Sequence, residues 1–106
     1  MTDRGGRPRE REWQAQVTEL AQRYGWLHYH TYDSRRSRAG FPDLILIRGS
    51  RLIAVELKVG AAGLALDQEA WLAAFALVPG CEAYCWRPEQ IEEVVSILAP
   101  RKQAKT

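Results

Sequence analysis

Long apolar runs are absent from this sequence. No stretch approaches the roughly 20 apolar residues that a membrane-spanning helix requires. The first residues are polar and arginine-rich, and no apolar segment of the kind found in secretory signals follows them. We therefore expect a cytoplasmic protein that does not associate with a membrane.

Cysteine and histidine are scarce, with two of each. Cys81 and Cys85 fall in a segment with strand-like composition, where residues four apart share a face but lie well separated along the chain. A disulfide between them would be awkward, and these spacings do not make a convincing zinc site. We expect reduced thiols with a structural role.

A strong net charge of either sign is also missing, since the formal charge is only +2. That total does not identify a nucleic-acid binder, but a near-neutral total can hide a basic face. Basic residues crowd the N-terminus, positions 35–38 and the tail at 101–105, whereas acidic residues gather between 82 and 93. We interpret the tail as solvated and the middle cluster as functional.

The length of 106 residues corresponds to one small domain. We divide the chain into a flexible N-terminus (1–8), a single domain (9–99) and a basic tail (100–106), and we find no internal repeat. A domain of this size buries a limited share of its surface, so a partner subunit is a plausible source of stability.

The spacing of apolar residues predicts the order helix, three strands, helix, strand, helix (αβββαβα). Two short apolar runs flank the turn residues Arg48-Gly49-Ser50 and predict a hairpin. The expected fold class is α/β (α+β), a small mixed sheet flanked by helices. The elements are expected at about 9–24, 26–32, 44–47, 52–57, 66–78, 82–86 and 89–98.

Charged side chains are expected to meet at one end of this hairpin. Asp43 opens its first strand, and Glu56 and Lys58 lie near the end of its second strand. Residues two apart in a strand share a face, and the turn lies midway, so Asp43 falls opposite Glu56 and Lys58. Neighbouring carboxylates repel each other and raise each other's pKa. A bound divalent cation offsets this repulsion. We favour such a metal site over an ion pair on a solvated strand face.

These residues carry a family resemblance. Pro42-Asp43 followed by Glu56-Leu57-Lys58 resembles the PD-(D/E)XK nuclease motif. A longer string, spread over residues 10–98, resembles the virus-type replication-repair nuclease (VRR-NUC) family, which implies a restriction-endonuclease-like core. The string comprises Gly25-Trp26, His30, Asp33-Ser34-Arg35-Arg36, Gly40-Phe41-Pro42-Asp43-Leu44, Glu56-Leu57-Lys58, Gln68 and Trp86-Arg87-Pro88.

The resemblance implies roles at matching positions. Asp43 and Glu56 correspond to carboxylates that bind Mg²⁺ or Mn²⁺, and the backbone carbonyl of Leu57 to a further metal ligand. Lys58 corresponds to the catalytic lysine, which would offset negative charge that develops on a phosphate. A bound metal ion would polarise the phosphodiester and lower the pKa of an attacking water.

Two further site residues are implied on the helices. Gln68 corresponds to a glutamine that supports the active site. Glu10 corresponds best to a glutamate that the family places near the metal, with Glu12 as its rival, because residues two apart on a helix do not face the same point.

The start of the second helix departs from the family. Relatives often have a Ser-Pro pair there, whereas this chain has Ala65-Leu66. Neither side chain can cap a helix. Asp67 remains as a possible cap, or as a charge that favours the helix N-terminus, and the placement of Gln68 is correspondingly open.

Residues of the loop before Pro42 are candidates for binding DNA, because arginine suits a phosphate backbone. They are Ser34, Arg35, Arg36 and Arg38, with Ser37 as a further neutral donor and His30 just before the loop. His30 is equally well explained as a surface histidine. Tryptophans can stack on bases, but Trp13 and Trp71 lie on apolar helical stripes and are predicted to belong to the core.

The resemblance also implies a substrate and an assembly. Small members of the family resemble bacterial and phage enzymes that act as homodimers on branched DNA, including four-way (Holliday) junctions. We therefore expect a Holliday-junction-resolvase-like endonuclease in the cytoplasm of a bacterial or phage-infected cell. The alternatives are a nucleic-acid-binding module without cleavage activity and a non-enzymatic accessory protein.

Overall fold

The computed structural model describes residues 10–32 and 37–100. The predicted flexible N-terminus, nearly all of the basic tail and the loop residues 33–36 lie outside this part of the chain. In these two ranges, three helices and four strands follow one another in the order α1 (Glu10–Arg23), β1 (Leu27–His30), β2 (Leu44–Arg48), β3 (Arg51–Leu57), α2 (Leu66–Ala76), β4 (Cys81–Trp86) and α3 (Ile91–Leu98).

The strands form one small mixed sheet in the order β1-β2-β3-β4. The first three strands are antiparallel, and β4 lies parallel to β3 after the crossover through α2. Gly49 has φ +62° in the tight turn between β2 and β3, a conformation that glycine adopts without strain. The predicted class, a mixed α+β fold with helices against a small sheet, is confirmed.

One face of the sheet carries the hydrophobic core. On α1, Trp13 and Val17 are buried as their spacing predicts, and Leu20 and Tyr24 pack against them partly buried. The Trp13 indole N–H donates to the backbone oxygen of Trp86 at 3.0 Å, so this large side chain enters the core with its polar atom satisfied. The fully buried side chains of this core are Trp13, Val17, Ala21, Leu44, Leu46, Ile53, Val55, Leu57, Trp86, Val94 and Leu98.

The other face is covered only in part. Helix α2 packs against β3 and β4, and no residue of Leu66–Ala76 is fully buried. On the β1 and β2 side, Leu27 pairs with Ile47, and both side chains are exposed. The prediction that Trp71 belongs to the core is therefore wrong: it lies half-buried on the flank of α2.

Several element boundaries differ from the predicted ones. Strand β1 is shorter than expected, because Trp26 bonds to the end of α1 (its N–H donates to Ala21 O at 2.9 Å) rather than to a neighbouring strand. Helix α2 ends at Ala76, two residues early. A single 3-10 turn (Pro88–Gln90) precedes α3. Among the described residues, no helix is long and apolar enough to cross a membrane.

Both cysteines are free thiols, as expected. They lie on β4, where Cys85 is the neighbour of Glu56 across the β3–β4 pairing. Burial raises the pKa of the Cys85 thiol, which keeps it protonated and unreactive.

Candidate active site

The register of the β2–β3 hairpin brings Asp43 and Glu56 together. Leu44 pairs with Val55, so the preceding residue, Asp43, comes opposite Glu56. Leu44 and Val55 both point into the core, and side chains alternate along a strand. The two carboxylates therefore project from the opposite face, where α2 lies. Lys58, two residues after Glu56, projects from that face as well.

Glu56 is a deeply buried carboxylate. Its side chain is only 3% exposed, whereas charged residues are seldom fully buried unless they are paired. Its Oε2 accepts a hydrogen bond of 3.0 Å from Gln68 Nε2. Its other oxygen, Oε1, is buried without a hydrogen-bond partner in the described part of the chain. An unsatisfied buried oxygen of this kind calls for an explanation, such as a bound ion.

The surroundings of Glu56 disfavour its ionised form. Burial raises the pKa of Glu56 to about 8, and the carboxyl of Asp43 beside it acts in the same direction. Lys58 acts in the opposite direction without cancelling these effects, and the charge of Glu10 adds to them. Asp43 and Glu56 thus repel each other when both are ionised, and the nearby ammonium of Lys58 does not fully compensate for this repulsion.

Asp43 is held through its backbone and its side chain. Its Oδ2 accepts a hydrogen bond of 2.8 Å from the Leu57 N–H. Its backbone oxygen accepts one of 2.9 Å from the Thr31 N–H, and the Thr31 hydroxyl donates to Pro42 O at 2.8 Å. The end of β1 therefore fixes the start of β2. The role of Thr31 was not anticipated from the sequence.

Gln68 joins the helix start to the active site. Ala65 is the N-cap of α2, and its N–H donates to Gln68 Oε1 at 2.9 Å. This is the half of a capping box that the glutamine supplies, since alanine has no side-chain acceptor. Asp67 follows in the first turn, so it is not the cap. The position of Gln68 is thereby fixed, with Nε2 directed at Glu56.

Glu10, one of the two candidate glutamates of α1, interacts electrostatically with the site. It begins the helix and is exposed. Its charge contributes to the raised pKa of Glu56. This contribution is consistent with Glu10 as the helix carboxylate near the pair.

Two residues outside the carboxylate set support the loops around it. Gly40 has φ +93°, and a Cβ on it would lie 2.7 Å from the backbone carbonyl of Asp67, so the loop before Asp43 packs tightly on the start of α2. Arg87 donates to Gly60 O at 3.0 Å and to Ala62 O, and so holds the segment between Lys58 and α2. The sequence indicates neither contact, because both join segments distant along the chain.

The predicted DNA-binding residues are only partly brought to the site. Arg38 is exposed in the loop before Asp43, and Ser34, Arg35 and Arg36 lie outside the described residues. His30 pairs with Leu44 and therefore projects from the core face, away from the carboxylates. Its ring lies 4.4 Å from that of Tyr32.

The residues at this site fit a divalent metal ion. Within 10–32 and 37–100, no three His, Cys, Asp or Glu side chains form a ready cluster. Mg²⁺, however, commonly uses one or two carboxylates together with water and substrate oxygens. Asp43 and Glu56 supply that pair, and the unpartnered Oε1 of Glu56 is an open ligand position.

Comparisons with known proteins provide no assignment for the chain. A scan against protein-family models gave no match, and a search of curated proteins gave no matching relative. Inference about function must therefore start from the carboxylate pair and its surroundings. A buried pair of this kind, with an ammonium beside it, can bind a divalent cation and an oxyanion together.

Proposed function

We propose that this protein is a metal-dependent nuclease of the PD-(D/E)XK type, with a restriction-endonuclease-like core, and that it hydrolyses DNA phosphodiester bonds. The main support is the buried Glu56 carboxylate, which has an unpartnered oxygen and lies beside Asp43. A structural ion pair does not account for this arrangement, since Lys58 leaves the pKa of Glu56 raised.

A bound cation would offset the repulsion between Glu56 and the carboxylate beside it. Two adjacent negative charges out of water are strongly unfavourable, and a protein that merely binds nucleic acid gains nothing from carboxylates that repel phosphate. Asp43, Glu56 and the carbonyl of Leu57 would hold Mg²⁺ or Mn²⁺. When bound, that ion would polarise the phosphodiester and acidify a water.

The remaining side chains have separable tasks in this proposal. Lys58 offsets negative charge on the phosphate as the bond to oxygen breaks. Gln68 donates a hydrogen bond to one oxygen of Glu56, so the other oxygen is available to a metal ion. In the same way, the Leu57 N–H donates to one oxygen of Asp43. Such outer contacts orient metal ligands and tune their affinity.

The finer features of the proposal come from the resemblance to VRR-NUC nucleases. We propose branched DNA, such as a four-way junction, as the substrate, and a homodimer as the active form. The exposed pair Leu27 and Ile47 supports self-association, because paired apolar side chains on a sheet face favour a covering partner. Light scattering that shows a monomer at micromolar concentration, both alone and with a junction, would exclude the dimer.

A cleavage assay with matched variants tests the function. Labelled linear duplex, flap and four-way-junction DNA are incubated with Mg²⁺, Mn²⁺ or EDTA. We expect metal-dependent cutting that Asp43→Asn, Glu56→Gln and Lys58→Ala each abolish. Glu69→Gln, an exposed acid next to Gln68, is the control and should cut normally. Equal cutting by wild type and Asp43→Asn would refute the site.

The same assay separates the alternatives. Wild-type protein that binds these DNAs without cutting any of them would be a nucleic-acid-binding module. Protein that neither binds nor cuts them would be a non-enzymatic interaction protein. Either outcome would replace the nuclease proposal.

A further inference from the structure

A cavity of about 320 Å³ opens between β1, the loop before Asp43 and α2. Its volume falls within the range of small-molecule sites, which combine apolar walls with a few polar groups. Three aromatic residues, a serine, a threonine and an arginine line it: Tyr29, Phe41, Trp71, Ser37, Thr31 and Arg38.

Two residues that line the cavity adjoin residues of the carboxylate site. Thr31, which lines the cavity, donates to the backbone of Pro42 and Asp43. Trp71 lies three residues after Gln68 on α2, and residues at this spacing are neighbours on a helix surface. A strand whose phosphate lay at Asp43 and Glu56 would therefore pass close to the cavity.

Trp71 is held in place but not buried. Its indole N–H donates to Ala39 O at 3.2 Å, and its ring meets that of Phe41 edge-on at a centroid distance of 5.1 Å. The other three tryptophans of the chain, Trp13, Trp26 and Trp86, are buried in the core. Trp71 thus offers a fixed, accessible ring, which is what a base-stacking platform requires.

We propose that this cavity receives an unpaired nucleobase of the bound strand, stacked against Trp71, while Arg38 binds a neighbouring phosphate. The inference rests on the proposed nuclease function and specifies its substrate as DNA with an unstacked base next to the cleaved bond. A continuous duplex does not meet this requirement, because its bases must first leave the stack, at a cost in free energy. Flaps and gaps contain unpaired bases and do meet it, and a four-way junction meets it where base pairs open at its crossing point.

A nucleobase fits the cavity better than an apolar protein segment does. Arg38, Ser37 and Thr31, which carry polar groups, line the same space as the aromatic residues. An apolar segment would remove these groups from water without replacing their hydrogen bonds, which is unfavourable. A base has an aromatic face and polar edges, and the adjoining phosphate complements Arg38.

The test compares two labelled single-stranded oligonucleotides, one with normal bases and one with abasic residues, by fluorescence anisotropy. Every protein carries Asp43→Asn, so that hydrolysis is blocked and one negative charge is removed. We expect the normal strand to bind about tenfold more tightly than the abasic strand, given the usual strength of base stacking. Trp71→Ala should remove this preference and leave the abasic affinity unchanged.

Two further variants separate stacking from a structural role of Trp71. Trp71→Phe keeps an aromatic face but loses the hydrogen bond to Ala39, and it should retain most of the preference. Leu77→Ala removes an exposed apolar side chain just beyond α2 and should retain all of it. Equal loss of affinity for both strands in Trp71→Ala and Trp71→Phe would overturn the proposal in favour of loop positioning.

The remaining outcomes are also decisive. An unchanged preference in Trp71→Ala, together with dissociation of a dimer in sedimentation, would assign the cavity to protein contacts and overturn the proposal. Cleavage by the wild type without a Trp71-dependent preference would refute the base cavity alone. A Trp71-dependent preference without cleavage would refute the nuclease alone.

Discussion

Gln68 Nε2 donates a 3.0 Å hydrogen bond to Glu56 Oε2, while Gln68 Oε1 accepts one from the Ala65 N–H. The amide of one residue thus joins the first turn of α2 to a buried carboxylate on β3. Because both ends of the amide are engaged, Glu56 is oriented by the helix and not only by its own strand.

Gln68→Met preserves side-chain length and removes both hydrogen bonds. We expect the affinity for Mn²⁺ to fall about 10- to 100-fold, as is usual when an outer contact of a metal ligand is lost. Isothermal titration with Mn²⁺ measures the change. Glu69→Gln is the control, since its exposed side chain lies outside the site. Equal affinities for Gln68→Met and wild type would show that Gln68 does not position the ligand.

Glu56 should make the metal-free protein less stable as the pH rises. The pKa of this carboxyl is raised to about 8 in the folded state from an ordinary value of 4.5. The folded protein therefore holds a proton that the unfolded chain releases, and its stabilising effect is complete below pH 4.5 and is lost as pH rises towards 8. Between these values the slope approaches about 1.4 kcal/mol per pH unit.

Urea denaturation in EDTA at several pH values checks this expectation. Glu56→Gln cannot ionise, so its stability should vary less steeply with pH than that of the wild type. Mn²⁺ should stabilise the wild type more at pH 8 than at pH 5.5, because the metal displaces the proton. Identical pH slopes for the two proteins would contradict the prediction.

Gly40→Ala should destabilise the fold. The new Cβ would meet the Asp67 backbone at 2.7 Å, and φ +93° is strained for alanine, so we expect a loss of about 1–3 kcal/mol in the free energy of unfolding. Gly63→Ala is the matched control, because a Cβ there enters open space, and its effect should stay within about 0.5 kcal/mol. Urea denaturation measures both, and similar losses would argue against tight packing of this loop on α2.

Arg87→Lys should loosen the segment between Lys58 and α2. A single ammonium cannot reproduce the two contacts of the guanidinium with Gly60 O and Ala62 O. We expect faster amide hydrogen exchange in residues 60–65, with about 1–2 kcal/mol less protection. Arg23→Lys, which alters an exposed and weak pair with Glu19, should leave that exchange unchanged. Unaltered exchange in Arg87→Lys would mean that other contacts hold the loop.

The element order and the carboxylate pair could be predicted from the sequence because both depend on local patterns. Trp13 and Val17 repeat at helical spacing. Asp43 and Glu56 flank one short hairpin, whose turn sets their register. The clustering of Glu56 with Lys58 follows from strand alternation alone.

Features that depend on distant packing could not be predicted. The apolar pattern of α2 indicates a buried face for Trp71, but whether another element covers that face depends on the three-dimensional arrangement. The side from which His30 projects depends on its pairing with Leu44. The contacts of Arg87 join residues more than twenty positions apart, and no local signal marks them.

The pairing of Leu44 with Val55 also bears on how this chain avoids misfolding. A slip of one residue between β2 and β3 would turn the side chains of β3 to the opposite face. Glu56 would then enter the apolar layer that contains Trp13, where an unpaired ion is strongly disfavoured. Glu56, which we propose as a metal ligand, thus also favours the correct strand register, because its burial in the apolar layer would destabilise the misregistered hairpin.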